Sequence, residues 1–261
     1  MISTLSKFFL LISVLCLSAC AHKQFQKVGE FGPEKTEILQ LKLSTSNVFL
    51  IKGKQVVLVD SGVGEDWDDL NLALKDSSYS MKDIKIVLLT HGHADHAGLA
   101  KRLQSEGAEI YAGQGDVAML ARGTNDELKP TSLFARLIRP MVDQPFDPIS
   151  TVTSINEPIE LSDKIGAPIK ILPMAGHTPG SVVIILGNDQ ALVGDMMLGG
   201  SMGGAIFSNS AGEHYYQDDL KKNHENVKQL LALGIQKFYL GHGGPVLRSS
   251  VERWINGVED K

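Results

Sequence analysis

Apolar residues along this chain come in short bursts separated by turn residues, and their period changes from burst to burst. Segments 37–43, 47–51 and 55–59 read as three strands, with Lys52-Gly53-Lys54 as a tight turn between the last two. From 65 to 75 the period becomes helical: Trp67, Leu70 and Leu74 share a face, acids come first and a lysine comes last, as the helix dipole favours. The run 84–89, apolar except for Lys85, predicts a buried strand. A helix is expected over 95–106, with Leu99, Ala100 and Leu103 inward and Gly107 as its stop. A strand over 109–112 and a short helix over 114–121 follow. Strands return at 158–161, 169–174, 181–186, 190–194 and 237–240. A helix over 218–233 turns Leu220, Val227, Leu230 and Leu231 inward, and Val251, Trp254, Ile255 and Val258 mark a last helix.

Two stretches break the pattern. Segment 122–153 holds Pro130, Pro140, Pro145 and Pro148 beside an apolar patch of Leu133, Phe134, Leu137, Ile138, Met141 and Phe146. It is expected to be irregular, as a lid or substrate wall or as a surface excursion. Segment 199–210 is rich in glycine and serine and reads as a loop. No repeat of 20–50 residues is present, although strands, metal-type residues and a helix occur in both halves.

The strand ends carry the chemistry. His91-Gly-His93-Ala-Asp95-His96 follows the apolar run directly, placing three imidazoles and a carboxylate at the C-terminal end of a buried strand. These are the ligand types that Zn²⁺ and similar borderline metals prefer. Asp60, His177, Asp195 and His242 likewise follow apolar strands, each beside glycine or proline. A single strand-end Asp serves equally well as a turn cap, and a single His beside Gly as a structural group. Five such motifs in order point to a shared metal site. His214, Tyr215 and Tyr216, after the glycine loop, are candidates for substrate contact.

Charge and cysteine usage set the surroundings. The formal net charge is −5, and no run of Lys or Arg exceeds two residues, which speaks against nucleic acid as a partner. Residues 1–19 read as a secretory signal: Lys7 supplies the positive charge and the apolar stretch 8–17 is too short to span a bilayer. Leu17-Ser18-Ala19-Cys20 resembles a bacterial lipobox, in which the cysteine is acylated; such a protein is exported and held on the membrane by lipid. Residues 20–34 are then a tether and 35–261 the folded domain that carries the metal-type residues. Cys16 and Cys20 are the two cysteines, so the domain carries no disulfide and no thiolate ligand. About 230 residues suffice for a core without one.

The ordered set Asp60, His91-x-His93-x-Asp95-His96, His177, Asp195 and His242 resembles the metallo-β-lactamase-fold hydrolases, over nearly the whole mature chain. The resemblance implies an α/β protein: a four-layer αβ/βα sandwich of two mixed β-sheets with helices outside. It assigns His91, His93 and His177 to one metal and Asp95, His96 and His242 to a second. Asp195 bridges the two, Asp60 orients the ligands, and Asp95 shuttles a proton to the leaving group. It implies two Zn²⁺, although a nitrogen and oxygen ligand set also accepts Fe or Mn. Water activated by such a pair, with its pKa lowered toward ~7, attacks a carbonyl. The positive balance of the cluster favours an anionic small-molecule substrate or leaving group.

Departures from individual branches narrow the expectation. Lactamases with a Cys ligand are excluded by composition, and those with Asp and His in the second site usually lack the bridging Asp. Diiron flavoproteins carry a carboxylate where His93 stands. Acyl-homoserine lactonases place a Tyr after the bridging Asp, where this chain has Met196. Glyoxalase thioesterases add a C-terminal helical domain, and nuclease branches add a nucleic-acid module, neither of which is visible. The expectation is hydrolysis of an ester, thioester, lactone or lactam. The alternatives are a lactam hydrolase specifically, a mononuclear iron persulfide dioxygenase, or a non-catalytic lipoprotein.

Overall fold

The computed structural model describes residues 22–259, so Cys16, Cys20 and the 1–19 signal lie outside the described residues. The first sheet contains β1 (Gln26–Phe31), β2 (Thr36–Lys42), β3 (Asn47–Lys52), β4 (Val56–Val59), β5 (Ile84–Leu88), β6 (Glu109–Gly113) and β7 (Thr153–Ile155), in that spatial order. Its first four strands pair antiparallel and β4 to β7 pair parallel. The second sheet runs β15 (Val246–Leu247), β14 (Lys237–Tyr239), β11 (Gln190–Leu192), β10 (Val182–Leu186), β9 (Ile169–Pro173) and β8 (Ile159–Glu160). It is mixed as well, with β11 and β14 parallel. A hairpin of β12 (Leu198–Ser201) and β13 (Ile206–Gly212) stands apart.

Side-chain alternation splits each sheet between two cores. In β3, Phe49 and Ile51 face the second sheet, while Val48 and Leu50 face outward. In β5, Ile86 and Leu88 point inward and Ile84 and Val87 outward. The middle core joins these inward residues to Ile169, Ile171, Val182 and Ile184 of the second sheet. The core outside the first sheet is closed by α1 (Trp67–Asp76), through Leu70 and Leu74, and by α3 (Ala100–Ser105), through Leu103. The core outside the second sheet is closed by α7 (Leu220–Ala232), through Val227 and Leu230, and by α8 (Arg248–Glu259), through Val251 and Ile255. Three cores between four layers make an αβ/βα sandwich. The remaining helices are short: α2 (Ala94–Ala97), α4 (Val117–Arg122), α5 (Leu133–Val142) and α6 (Ser162–Ile165).

The structure corrects several expectations. Residues 20–34 are not simply a tether, because β1 occupies Gln26–Phe31 and buries Phe31 in the middle core. A bulge between Lys27 and Gly29 breaks its pairing with β2 and hides the period of two. The helix over 95–106 is interrupted. Ser61 donates both N–H and Oγ–H to the His96 carbonyl, at 2.7 and 2.8 Å, which takes that oxygen from the helical ladder. Segment 122–153 contains α5, capped by the Ser132 side chain. Segment 199–210 lies largely in the β12–β13 hairpin. Leu220 is 40% exposed, and its expected inward place is taken by buried Asn223 and Asn226.

Candidate metal centre

Every ligand-type residue marked in the sequence lies at one edge of the sandwich, where strands of both sheets end. Asp60 follows β4, and His91 and His93 follow β5. Asp95 and His96 sit on α2, His177 lies between β9 and β10, Asp195 follows β11 and His242 follows β14. Two triads could each hold a cation: His91, His93 and His177 form one, and Asp95, His96 and His242 the other, with ligand atoms within 4.8 Å of one another. Asp195 lies between them. Its Oδ1 is 3.4 Å from His96 Nε2, and its Oδ2 is 3.1 Å from His242 Nε2, 3.8 Å from His177 Nε2 and 3.9 Å from His91 Nε2.

The imidazoles are held by their other nitrogens. His96 Nδ1–H donates to Asp60 Oδ2 at 2.8 Å, His177 Nδ1–H to the Tyr216 carbonyl at 2.9 Å, and His242 Nδ1–H to the Thr45 carbonyl at 2.8 Å. Each bond turns Nε2 toward Asp195. Asp60 is left-handed at φ 59° and also accepts from the Thr90 amide, at 2.7 Å. Asn47 spans the two sheets, its Nδ2 donating to the carbonyls of Leu240 and Gly243, both at 2.8 Å, which pins the His242 loop to β3. Gly241 must lack a side chain: a Cβ there would strike Asp195 Oδ1 and lie 2.5 Å from His96 Cε1.

Electrostatically the site has two halves. Burial pushes His91 and His177 well below the ordinary imidazole range and His93 down to about 4, helped at His91 and His177 by neighbouring imidazoles. These three present neutral nitrogens. Burial also opposes charge on His242, but Asp195 and Asp95 hold it up at about 10, and the same carboxylates raise His96. Burial of Asp95 and Asp195 favours their protonated forms, yet the surrounding imidazoles keep both below the ordinary range. His91 Nε2, His96 Nε2 and Asp195 Oδ1 are buried with no hydrogen-bond partner. Buried polar atoms of that kind are costly unless something binds them, so the donor set fits metal ions.

Other residues had no obvious signal in the sequence. Asp116, fully buried after β6, accepts from the Gly92 amide at 2.8 Å, the Thr178 hydroxyl at 2.7 Å and the Gly180 amide at 2.7 Å. It thereby ties the His91–His93 turn to the His177 turn. Burial pushes its carboxyl up to about 6 against those three bonds. Its place in Gln-Gly-Asp after a strand was the only clue. Asn125 Oδ1 accepts from the Ala94 amide at 3.0 Å.

The three candidate substrate contacts separate. His214 is buried and its Nε2 lies 3.1 Å from Asp195 Oδ2. Tyr215 lines the cavity over the cluster. Tyr216 also borders that cavity, but its hydroxyl donates to the Ala135 carbonyl at 2.6 Å, which fastens α5.

A two-sheet sandwich with a His triad and an Asp/His triad at one edge defines an α/β protein with a candidate metal centre. The sequence profile of the metallo-beta-lactamase superfamily matches residues 41–242, and the chain belongs to that family. Among curated proteins it is similar to the probable metallo-hydrolase YqjP of Bacillus subtilis, 25% identical over 82% of this chain and 71% of that protein. It is 30% identical to the hydroxyacylglutathione hydrolase GloC of Haemophilus influenzae over 48% of this chain and 55% of the relative. A ribonuclease of Thermus thermophilus, TTHA0252, is 27% identical, and the match spans 32% of its length. Among solved structures, the Rm3 metallo-beta-lactamase superposes with a TM-score of 0.62 at 16% identity, covering 89% of this chain and 90% of that one. The metallo-beta-lactamase family protein TTHA1429 of Thermus thermophilus gives 0.56 at 23% identity, covering 92% and 78%. These structural likenesses establish the fold.

Proposed function

We infer that the protein hydrolyses an ester, thioester, lactone or lactam carbonyl at a dinuclear metal centre. The observation that carries this reading is the place of Asp195 between two triads, with His91 Nε2, His96 Nε2 and Asp195 Oδ1 all buried and without a hydrogen-bond partner. His91, His93 and His177 would hold one ion, Asp95, His96 and His242 the other, and Asp195 both. When bound there, two divalent cations would supply Lewis acidity and a nucleophile from water at neutral pH. Zinc suits the donor set.

The chain's own groups do the rest. Asp60, through His96 Nδ1, fixes the ring that faces Asp195. His214 Nε2–H donates to Asp195 Oδ2 and holds that carboxylate in place. Asp95, 28% exposed at the cavity, is the acidic group able to exchange a proton with a leaving group there. The likeness to GloC, a hydroxyacylglutathione hydrolase by name, supports an acyl carbonyl as the point of attack. Acylation at Cys20, which we propose from Leu17-Ser-Ala-Cys20, would tether the enzyme to a bacterial membrane on its exported side.

Metal analysis, together with turnover of a panel of lactams, lactones and thioesters, tests the function. Two metal ions per chain and turnover abolished by His93→Ala are expected. One iron per chain with oxygen uptake would refute it. Labelling with a fatty acid, lost in Cys20→Ser, tests the anchor.

A further inference from the structure

The cavity over the metal cluster has two chemically opposed walls. Its volume is about 390 Å³, within the usual range for small-molecule sites. One wall carries His93, Asp95, Asp195 and His242. The other is α5, which presents Phe134, Ile138, Met141 and Val142, joined by Met202 from the β12–β13 hairpin. Residues 134, 138 and 141–142 recur at helical spacing on one face. At ~1.5 Å rise per residue that stripe is roughly 12 Å long.

Most of this wall is uncovered. Phe134 is 45% exposed, Met141 77%, Val142 41% and Met202 61%; on α5 only Ala135 is buried. The helix is nonetheless well fixed. Ser132 caps it, Tyr216 holds the Ala135 carbonyl, and the Phe134 ring meets Tyr215 edge-on at 5.5 Å. His214, next in sequence to Tyr215, reaches Asp195, so the apolar wall keeps a set position relative to the ligands. No Lys, Arg or Glu lines the cavity among the described residues. Arg139 lies 3.6 Å from Asp143 and is not part of the lining. An anionic side group on a substrate would find no side-chain partner on this wall, whereas an apolar chain would find a continuous surface.

We propose that the substrate is an acyl ester or thioester with a long apolar acyl chain, its carbonyl at the His/Asp cluster and its chain along α5 beneath Met202. The proposal rests on the hydrolase reading above. Water adds its oxygen to the acyl carbon, the carbon–oxygen or carbon–sulfur bond breaks, and the departing alcohol or thiol takes the proton, leaving the fatty acid.

The test uses metal-loaded protein and matched acetyl and decanoyl substrates, as p-nitrophenyl esters and N-acetylcysteamine thioesters, below micelle-forming concentrations. The decanoyl kcat/KM should exceed the acetyl value about a hundredfold or more. The decanoyl-to-acetyl ratio should fall about tenfold in Phe134→Ser and in Met141→Ser, with folding checked by circular dichroism. Binding of decanoate against acetate by calorimetry reads the subsite without turnover, and decanoate should bind about a hundredfold more tightly. If no ester, thioester, lactone or lactam is cleaved but decanoate keeps that advantage, the hydrolase reading fails and the apolar subsite stands. Equal binding of the two acids overturns the proposal, as does a rate independent of chain length. A decanoyl preference that appears only with phosphatidylcholine vesicles present would make α5 a membrane-docking face and also overturn it.

Discussion

Replacing Asp116 by asparagine probes the clamp that joins the two histidine turns. The carboxylate accepts from two backbone amides, Gly92 on Oδ2 and Gly180 on Oδ1, and from the Thr178 hydroxyl. An asparagine must turn its NH₂ toward one of those amides, so one buried donor loses its acceptor whichever way it lies. That costs about 1–3 kcal/mol. The carboxyl is also held near 6, against an ordinary value of 3.8. A folded pKa above the unfolded one means the native state binds more protons between these values, so stability falls as pH rises through that window. The whole shift amounts to about 3 kcal/mol at ~1.4 kcal/mol per unit, of which about 1.3 kcal/mol falls between pH 5 and 7. The Asp116→Asn variant lacks this penalty. The substitution should therefore cost about 2 kcal/mol at pH 5 and about 1 kcal/mol less than that at pH 7. Urea unfolding of both proteins in chelator, at the two pH values, measures it without metal linkage. A cost below about 0.5 kcal/mol at pH 5, or one that rises with pH, would refute the argument.

Three further outcomes follow from the geometry. Asp60→Asn should weaken metal affinity about 10–100-fold, read by chelator competition, because His96 loses the carboxylate that orients it. Gly241→Ala places a methyl against Asp195 and His96; metal content should drop below one ion per chain while far-ultraviolet circular dichroism keeps the sandwich signature. Leu50→Ala in the core outside the first sheet should cost about 2–5 kcal/mol in urea unfolding and leave metal stoichiometry unchanged.

The central strands, and the His and Asp residues that the fold brings together, were legible because both obey short-range rules. Strands β4, β5, β11 and β14 read as short, mainly apolar runs, each followed within a few residues by a ligand-type residue beside a turn former. What escaped the sequence depended on distant partners. β1 was hidden by a bulge at Lys27–Gly29. The break after α2 depends on Ser61, 35 residues away, capturing the His96 carbonyl. The prolines made segment 122–153 look irregular, yet Pro140 lies in the last turn of α5 and does not break the helix that Ser132 caps. The β12–β13 hairpin lacked alternation because its glycines let the backbone approach the His242 loop, where Gly199 N–H meets the His242 carbonyl at 2.9 Å. Asp116 and His214 acquire their roles only when turns far apart in sequence converge.

The measurement closest to the central claim is the metal content of the purified chain and of Asp195→Ala, by elemental analysis. A centre built on a shared carboxylate predicts two ions per chain in the parent and at most one in the variant, with turnover lost. One ion in the parent, or two retained after Asp195 is removed, would contradict it.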